Sequence, residues 1–273
     1  MKTRKRRPAG RRLAKAVLAA SLALLAHGAL VISCASVPPP LQPSPGASGK
    51  PHAALPAGTR SEIAVSFARI EHAETEFEYH LEYPIFPGYP LLNARIEAVV
   101  RDCLGSFPAD SKAVWKEMTQ FEGSSWAEGR TPLYLSLEWE PVTVAGDFIS
   151  ILFTSYRYEG GAHGSTSLVP INYDCRDGSF PGIAELLAPA APDWIELLSA
   201  DAQASLASQL SRGDRQADID WIREGAGPEP ANFTCVTVSG NTLVIYFGQY
   251  QVAPYSEGIL QVRVPRDEYR KAD

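Results

Sequence analysis

Cysteine is scarce in this chain: four in 273 residues, Cys34, Cys103, Cys175 and Cys235. No two are spaced C-x-x-C, so zinc-ribbon and thioredoxin-like sites have no support. Histidine is scarce as well, with five residues. His72, His80 and His163 show no close ligand spacing and no H-E-x-x-H occurs, so neither a metal nor a cofactor is expected. The G-x-S-x-G elbow of serine hydrolases is missing, and no Ser/His/Asp or Cys/His set stands together locally. No catalytic residue is assigned on this ground. Such sets assemble across a sequence, so an enzyme stays open. Glu138 and Glu140 read as solvated residues of an outward strand face rather than partners of Glu159.

Acid is absent from the first 33 residues, whereas the first fifteen carry eight Lys or Arg. Residues 16–33 are almost wholly apolar. A basic start followed by an apolar stretch is the pattern of an export signal. Ser33 before Cys34 resembles the end of a bacterial lipoprotein signal, whose cysteine is acylated and becomes the first mature residue. The alternatives are a single membrane-spanning anchor, for which about eighteen apolar residues just suffice, and ordinary secretion. Lipid on Cys34 would hold the chain to a membrane, more than one acyl chain being needed for lasting attachment. The expected location is the cell envelope, on the periplasmic face or the cell surface. Ala35 lacks the aspartate that retains a lipoprotein in the inner membrane of enteric bacteria.

Eight of the 25 basic residues and none of the 31 acidic ones lie before residue 34, leaving 17 against 31 and a net charge of −14. Such a balance repels nucleic acid and attracts cationic partners. It also serves solubility alone. With Cys34 acylated, three cysteines remain in an oxidising compartment, and one disulfide plus one buried thiol is the simplest arrangement. Cys175 and Cys235, both in strand-like contexts, are the expected pair. Cys103 falls on the apolar face of a helix.

Residues 34–58 are rich in Pro, Ala, Ser and Gly and read as an extended tether. Beyond them lie roughly 210 residues, enough for one large domain or two small ones. Residues 76–83 alternate strictly, with Phe77, Tyr79, Leu81 and Tyr83 on one face, the period of a half-buried strand. Leu92, Ile96, Val99, Val100, Cys103 and Leu104 recur at helical spacing, and a second helix is expected over 111–121. Strands over 133–140, 148–158 and 165–173 form an antiparallel meander. Asp193 is expected to cap a helix that turns Trp194, Ile195, Leu197, Leu198, Ala202 and Leu206 inward, and a shorter helix covers 217–224. Strands at 233–238, 242–247 and 259–264 follow. The fold class is α+β: antiparallel sheets with helices packed against them in two small subdomains, divided as 59–130 and 131–273.

Several segments together resemble a known domain pair. They are Tyr156-Arg157-Tyr158-Glu159-Gly160-Gly161-Ala162-His163-Gly164, then Ile171-Asn172-Tyr173-Asp174, and near the end Gln249-Tyr250-Gln251-Val252-Ala253-Pro254-Tyr255. The chain resembles the extracytoplasmic region of RsiV-type anti-sigma factors, two adjacent domains of unknown function. That region type also precedes the catalytic domain of the deacetylase PdaC and occurs in exported lipoproteins. The resemblance, over roughly residues 62–265, implies an α+β fold, an envelope location and lysozyme as a cationic partner. Sigma-factor inhibition and deacetylation do not carry over: only fifteen residues precede the apolar segment, and the deacetylase catalytic domain is missing.

His163 stands in a glycine-rich loop that permits positive φ and close backbone approach. It either presents an imidazole to a ligand or satisfies backbone groups in a tight connection. Tyr250 and Tyr255 flank Ala253-Pro254, either as a platform for sugar faces or as packing for a long loop. The reading is a non-enzymatic envelope lipoprotein that binds peptidoglycan or another cell-wall-related ligand, or a cationic protein such as lysozyme. The alternative is an enzyme that modifies or hydrolyses peptidoglycan.

Overall fold

The computed structural model describes residues 63–122, 130–214 and 216–270. The basic and apolar leader, Cys34 and the Pro-rich segment lie outside the described residues. Among the described residues no helix is long and apolar enough to cross a membrane.

The fold is α+β. A five-stranded sheet runs in the order β1-β2-β3-β4-β5, and a three-stranded sheet in the order β6-β7-β8. The larger sheet comprises β1 (Ser66–Ala73), β2 (Phe77–Ile85), β3 (Leu133–Ala145), β4 (Phe148–Tyr158) and β5 (Ser165–Asp174). The smaller comprises β6 (Val236–Ser239), β7 (Thr242–Phe247) and β8 (Leu260–Pro265). All pairings but one are antiparallel. β2 and β3 run parallel, a departure from the expected purely antiparallel sheets. Parallel neighbours need a long crossover, which here is made by α1 (Pro90–Leu104) and α2 (Phe107–Glu122). The position 130/131, where the sequence suggested a division, lies between these two paired strands.

Local sequence explains the crossover. Pro90 opens α1 at a position where its missing N–H is no loss. The Asn93 side chain accepts from Phe86 N and donates to Phe86 O, both at 2.9 Å, fixing the turn from β2. Leu92, Ile96, Val99 and Val100 are buried at the helical spacing. They join Phe77, Leu81, Leu133, Leu135, Leu137, Ile149, Ile151 and Phe153 in one hydrophobic cluster.

A second cluster unites β7 and β8 with α3 (Ile183–Leu187), α4 (Trp194–Leu210) and α5 (Ile219–Gly225). Alternation along two strands orders the layers. On β4, Ile149, Ile151 and Phe153 face the first cluster, and Leu152 faces Val244 and Tyr246 of β7. On β7, Leu243, Ile245 and Phe247 face the second cluster. Helices, large sheet, small sheet and helices therefore form four layers. Buried side chains tie the two sheets together. Ser150 donates to Asn172 Oδ1 at 2.7 Å, Asn172 donates to Val236 O at 2.9 Å, and Val238 N donates to Ser150 at 2.9 Å.

Three details differ from the sequence reading. Leu197, expected inside with Leu198, Ala202 and Leu206, is 43% exposed, while those three are buried. Asp193 precedes α4 without a side-chain capping bond, whereas Asp218 does cap α5 by accepting from Trp221 N at 3.1 Å. Cys103, Cys175 and Cys235 are all free thiols, so the expected Cys175–Cys235 bridge is not formed. The reason is layering: Cys175 packs against the first cluster, and Cys235 packs with Leu152, Val244 and Tyr246 between the sheets.

Candidate functional site

Two loops meet beside the ends of β4 and β5. One, residues 159–164, joins those strands; the other follows β7. Between them lies a cleft of about 410 Å³, lined by Arg157, Glu159, Gly161, His163, Gly164, Ser165, Thr166, Gln249, Tyr250 and Tyr255. All three ligand candidates drawn from the sequence, His163, Tyr250 and Tyr255, thus share one site.

The His163 imidazole stacks on Tyr255 with centroids 3.8 Å apart and planes at 23°. Tyr250 continues the row, its ring 5.8 Å from that of Tyr255. Gly164 O accepts twice, from Tyr255 OH at 3.0 Å and from His163 Nδ1 at 3.0 Å. A carbonyl only accepts, so Nδ1 carries the hydrogen and Nε2 is the ring nitrogen left for a ligand. Thr166 N donates to Gln249 Oε1 at 3.1 Å, joining the start of β5 to the second loop. Gly164 is required by space rather than by φ: a Cβ there would lie 2.3 to 2.6 Å from ring atoms of Tyr156.

Arg157 forms one edge of the site. It donates to Cys103 O at 2.9 Å in the last turn of α1, lies over the Phe107 ring at 5.3 Å, and pairs with Glu159 at 3.4 Å. A guanidinium on the terminal carbonyls complements the helix dipole. Burial is the main reason the Cys103 thiol titrates above its ordinary value, with Arg157 and Ser155 acting weakly the other way. Burial likewise raises Cys175 and pushes Cys235 up to about 12.

Tyr250 is the one described non-glycine residue with positive φ, at 65°. Gln251 N donates to Gly248 O at 3.1 Å, so residues 248–251 form a turn whose third residue is Tyr250. Positive φ at that position alone is the type II pattern, which calls for Gly or Asn. A side chain in the left-handed region costs about 1–2 kcal/mol. Three features hold it there. Trp221 Nε1 donates to Tyr250 O at 3.0 Å. The Gln251 amide accepts from Gly248 N at 3.0 Å and donates to Gly225 O and Asn232 O at 3.0 and 3.1 Å. Gly225 lets the loop come close, since a Cβ there would stand 1.9 Å from Gln251 O.

The sequence reading missed this support. The helix expected over 217–224 runs one residue further, and Gly225 is the last residue of α5. Gln249 and Trp221 carried no signal of their own. The remaining candidates lie elsewhere. His72 stacks against Phe77 and Tyr79 and bonds Glu74 at 2.8 Å. His80 lies near Tyr134, on the neighbouring strands β2 and β3. Glu138 and Glu140 are exposed on β3. Among the described residues no group of three His, Cys, Asp or Glu side chains is placed to hold a metal ion.

Comparison with known proteins divides the chain in two. Residues 70–166 match a family described as Deacetylase PdaC, and residues 184–267 one described as a protein of unknown function, DUF3298. The paired-domain organisation expected from the resemblance is therefore present. Peptidoglycan-N-acetylmuramic acid deacetylase PdaC of Bacillus subtilis (strain 168) is 27% identical over 189 residues, 69% of this chain. The chain spans 37% of that relative's length. A solved DUF3298 family member from Bacteroides fragilis NCTC 9343 aligns over 76% of this chain and 92% of its own, with TM-score 0.51 and 15% identity, and shares the fold. One from Pseudomonas aeruginosa PAO1 aligns over 77% of this chain and 94% of its own, with TM-score 0.48 and 20% identity. The cleft takes residues 157–166 from the segment similar to PdaC and residues 249–255 from the segment similar to DUF3298, so it is built where the two matched segments meet.

Proposed function

We propose that this chain is an exported envelope protein, lipid-anchored through Cys34, that binds a cell-wall-related ligand in the cleft of His163, Tyr250 and Tyr255. One observation carries the proposal: side chains about ninety residues apart in sequence converge as a row of adjacent rings in an open cleft, His163 stacked on Tyr255 and Tyr250 tilted beside it. The name of the Bacillus subtilis relative, a peptidoglycan deacetylase, supports peptidoglycan as the ligand source. The test is sedimentation of the full chain, purified in detergent, with insoluble peptidoglycan. Co-sedimentation that falls on Tyr255→Ala is expected; co-sedimentation unaffected by that change would refute the site.

A second reading has its own support. The excess of 31 acidic over 17 basic residues beyond position 33 favours a cationic protein such as lysozyme. Saturable lysozyme binding that weakens with salt is its signature. The enzymatic alternative rests on an imidazole and a carboxylate, His163 and Glu159, in one cleft. It requires soluble products from peptidoglycan and their loss in His163→Ala.

A further inference from the structure

We infer that the cleft takes a neutral, pyranose-based saccharide, with a sugar ring laid on the exposed face of Tyr250. This deepens the cell-wall reading and rests on it.

The first argument is the position of Tyr250. Its φ of 65° suits glycine, so the turn does not call for a tyrosine. Its side chain is 54% exposed, so the core does not call for one either. Yet the Trp221 bond, the Gln251 amide and the missing Cβ of Gly225 together hold it in place. A residue kept in a disfavoured conformation by its surroundings, with its ring turned outward beside two stacked rings, marks a surface whose work lies outside the fold. A flat apolar ring matches the C–H face of a pyranose.

The second argument is charge. Arg157 is committed to Glu159 and to Cys103 O. Among the described residues lining the cleft, one cation and one carboxylate therefore oppose each other, so neither an anionic nor a cationic ligand gains a partner there. The other polar groups are mixed donors and acceptors: the hydroxyls of Ser165 and Thr166, the amide of Gln249, and Nε2 of His163. Sugar hydroxyls both donate and accept, so they suit such an edge. A nucleotide needs a cation for its phosphates, and an acyl chain leaves these groups unpaired. A volume of about 410 Å³ falls within the range of small-ligand sites.

The experiment titrates the full chain in detergent with the tetramer of N-acetylglucosamine, alongside Tyr250→Gly and Trp221→Phe. The parent is expected to bind. Tyr250→Gly is expected to lose about tenfold or more in affinity while its Tm stays level or rises, because glycine suits the φ. Trp221→Phe, which keeps an aromatic ring but removes the bond that holds Tyr250 O, is expected to weaken binding less. Unchanged affinity in Tyr250→Gly, or a lowered Tm, overturns the inference, since the ring would then be idle or a structural prop. Tighter binding of the cationic, deacetylated tetramer at moderate salt overturns the neutral assignment. Peptidoglycan sedimentation run in parallel separates the two levels. Sedimentation without tetramer binding overturns the saccharide and leaves the cell-wall reading standing; no sedimentation removes that reading itself.

Discussion

Replacing Gly225 with alanine tests the architecture of the cleft at its support. Gly225 is buried at the end of α5, and its φ needs no glycine. The objection to a side chain is therefore steric alone. A Cβ would stand 1.9 Å from Gln251 O, 2.7 Å from Gln251 C and 2.9 Å from Val252 Cγ1, where ordinary contact begins at 3.4 Å. The shortfall against the carbonyl oxygen is 1.5 Å, and the obstacle is backbone, which cannot swing aside as a side chain can. Overpacking of this kind costs about 1–3 kcal/mol. Displacing the loop also breaks the bond from Gln251 Nε2 to Gly225 O, worth about 1 kcal/mol. Alanine recovers at most about 1 kcal/mol of helix propensity, less at a helix end. The net expectation is a loss of about 1–3 kcal/mol, read in urea as a lower midpoint at unchanged slope. For a domain of this size Tm should drop by roughly 2–4 °C per kcal/mol. Gly164→Ala gives the contrast. Its obstacle is the far end of the Tyr156 side chain, which can swing aside where backbone cannot, so its loss should be the smaller. A Gly225→Ala midpoint within about 0.5 kcal/mol of the parent would refute the packing of the loop on α5.

Further expectations concern the seam, the acid limb and the thiols. Asn172→Leu removes the bond to Val236 O and the acceptor for Ser150. It should cost about 2–4 kcal/mol in chemical denaturation, and a neutral result would deny the seam its structural role. Arg176, whose Nε donates to Asp174 Oδ1 at 2.9 Å, holds the Asp174 carboxyl below its ordinary value. Its contribution is then present above about pH 4 and lost as pH falls through the lowered value. Arg176 is largely exposed, so solvent screening should keep the effect small. Asp174→Asn should flatten the acid limb of a Tm–pH curve, and an unaltered limb would contradict the assignment. With all three thiols raised by burial, iodoacetamide at pH 7 should label Cys103, Cys175 and Cys235 slowly in the native chain and fast in urea. Rapid native labelling of Cys235 would count against its placement between the sheets.

Much of the fold was legible because two periods carry it. Alternation at Phe77, Leu81 and Tyr83 gave β2, and the spacing of Leu92, Ile96 and Val100 gave α1. The direction of the neighbour was not legible: an alternating strand reads the same beside a parallel or an antiparallel partner, so the β2–β3 pairing stayed hidden. β3 also outran its pattern, because a bulge between Pro141 and Thr143 carries the pairing past the proline. Cys175 and Cys235 each suited a strand, but a strand context says nothing of layer. In the site, the glycines around His163 and the Pro254 loop pointed to the right side chains. Their convergence depends on the bond from Thr166 at the start of β5 to Gln249, 83 positions away, and no local pattern encodes that. Tyr250 at positive φ is likewise set by Trp221 and Gly225 from another helix.

The Ser150–Asn172 seam reaches further than stability. The matched segments part between residues 166 and 184, yet β4 and β5 hand their buried polar groups to β6 across that gap. A cut there would strand donors and acceptors in both pieces and bare the apolar face of each. The unit of folding is thus wider than either recognisable segment. A recombined or grafted half would have to bring its complementary half with it.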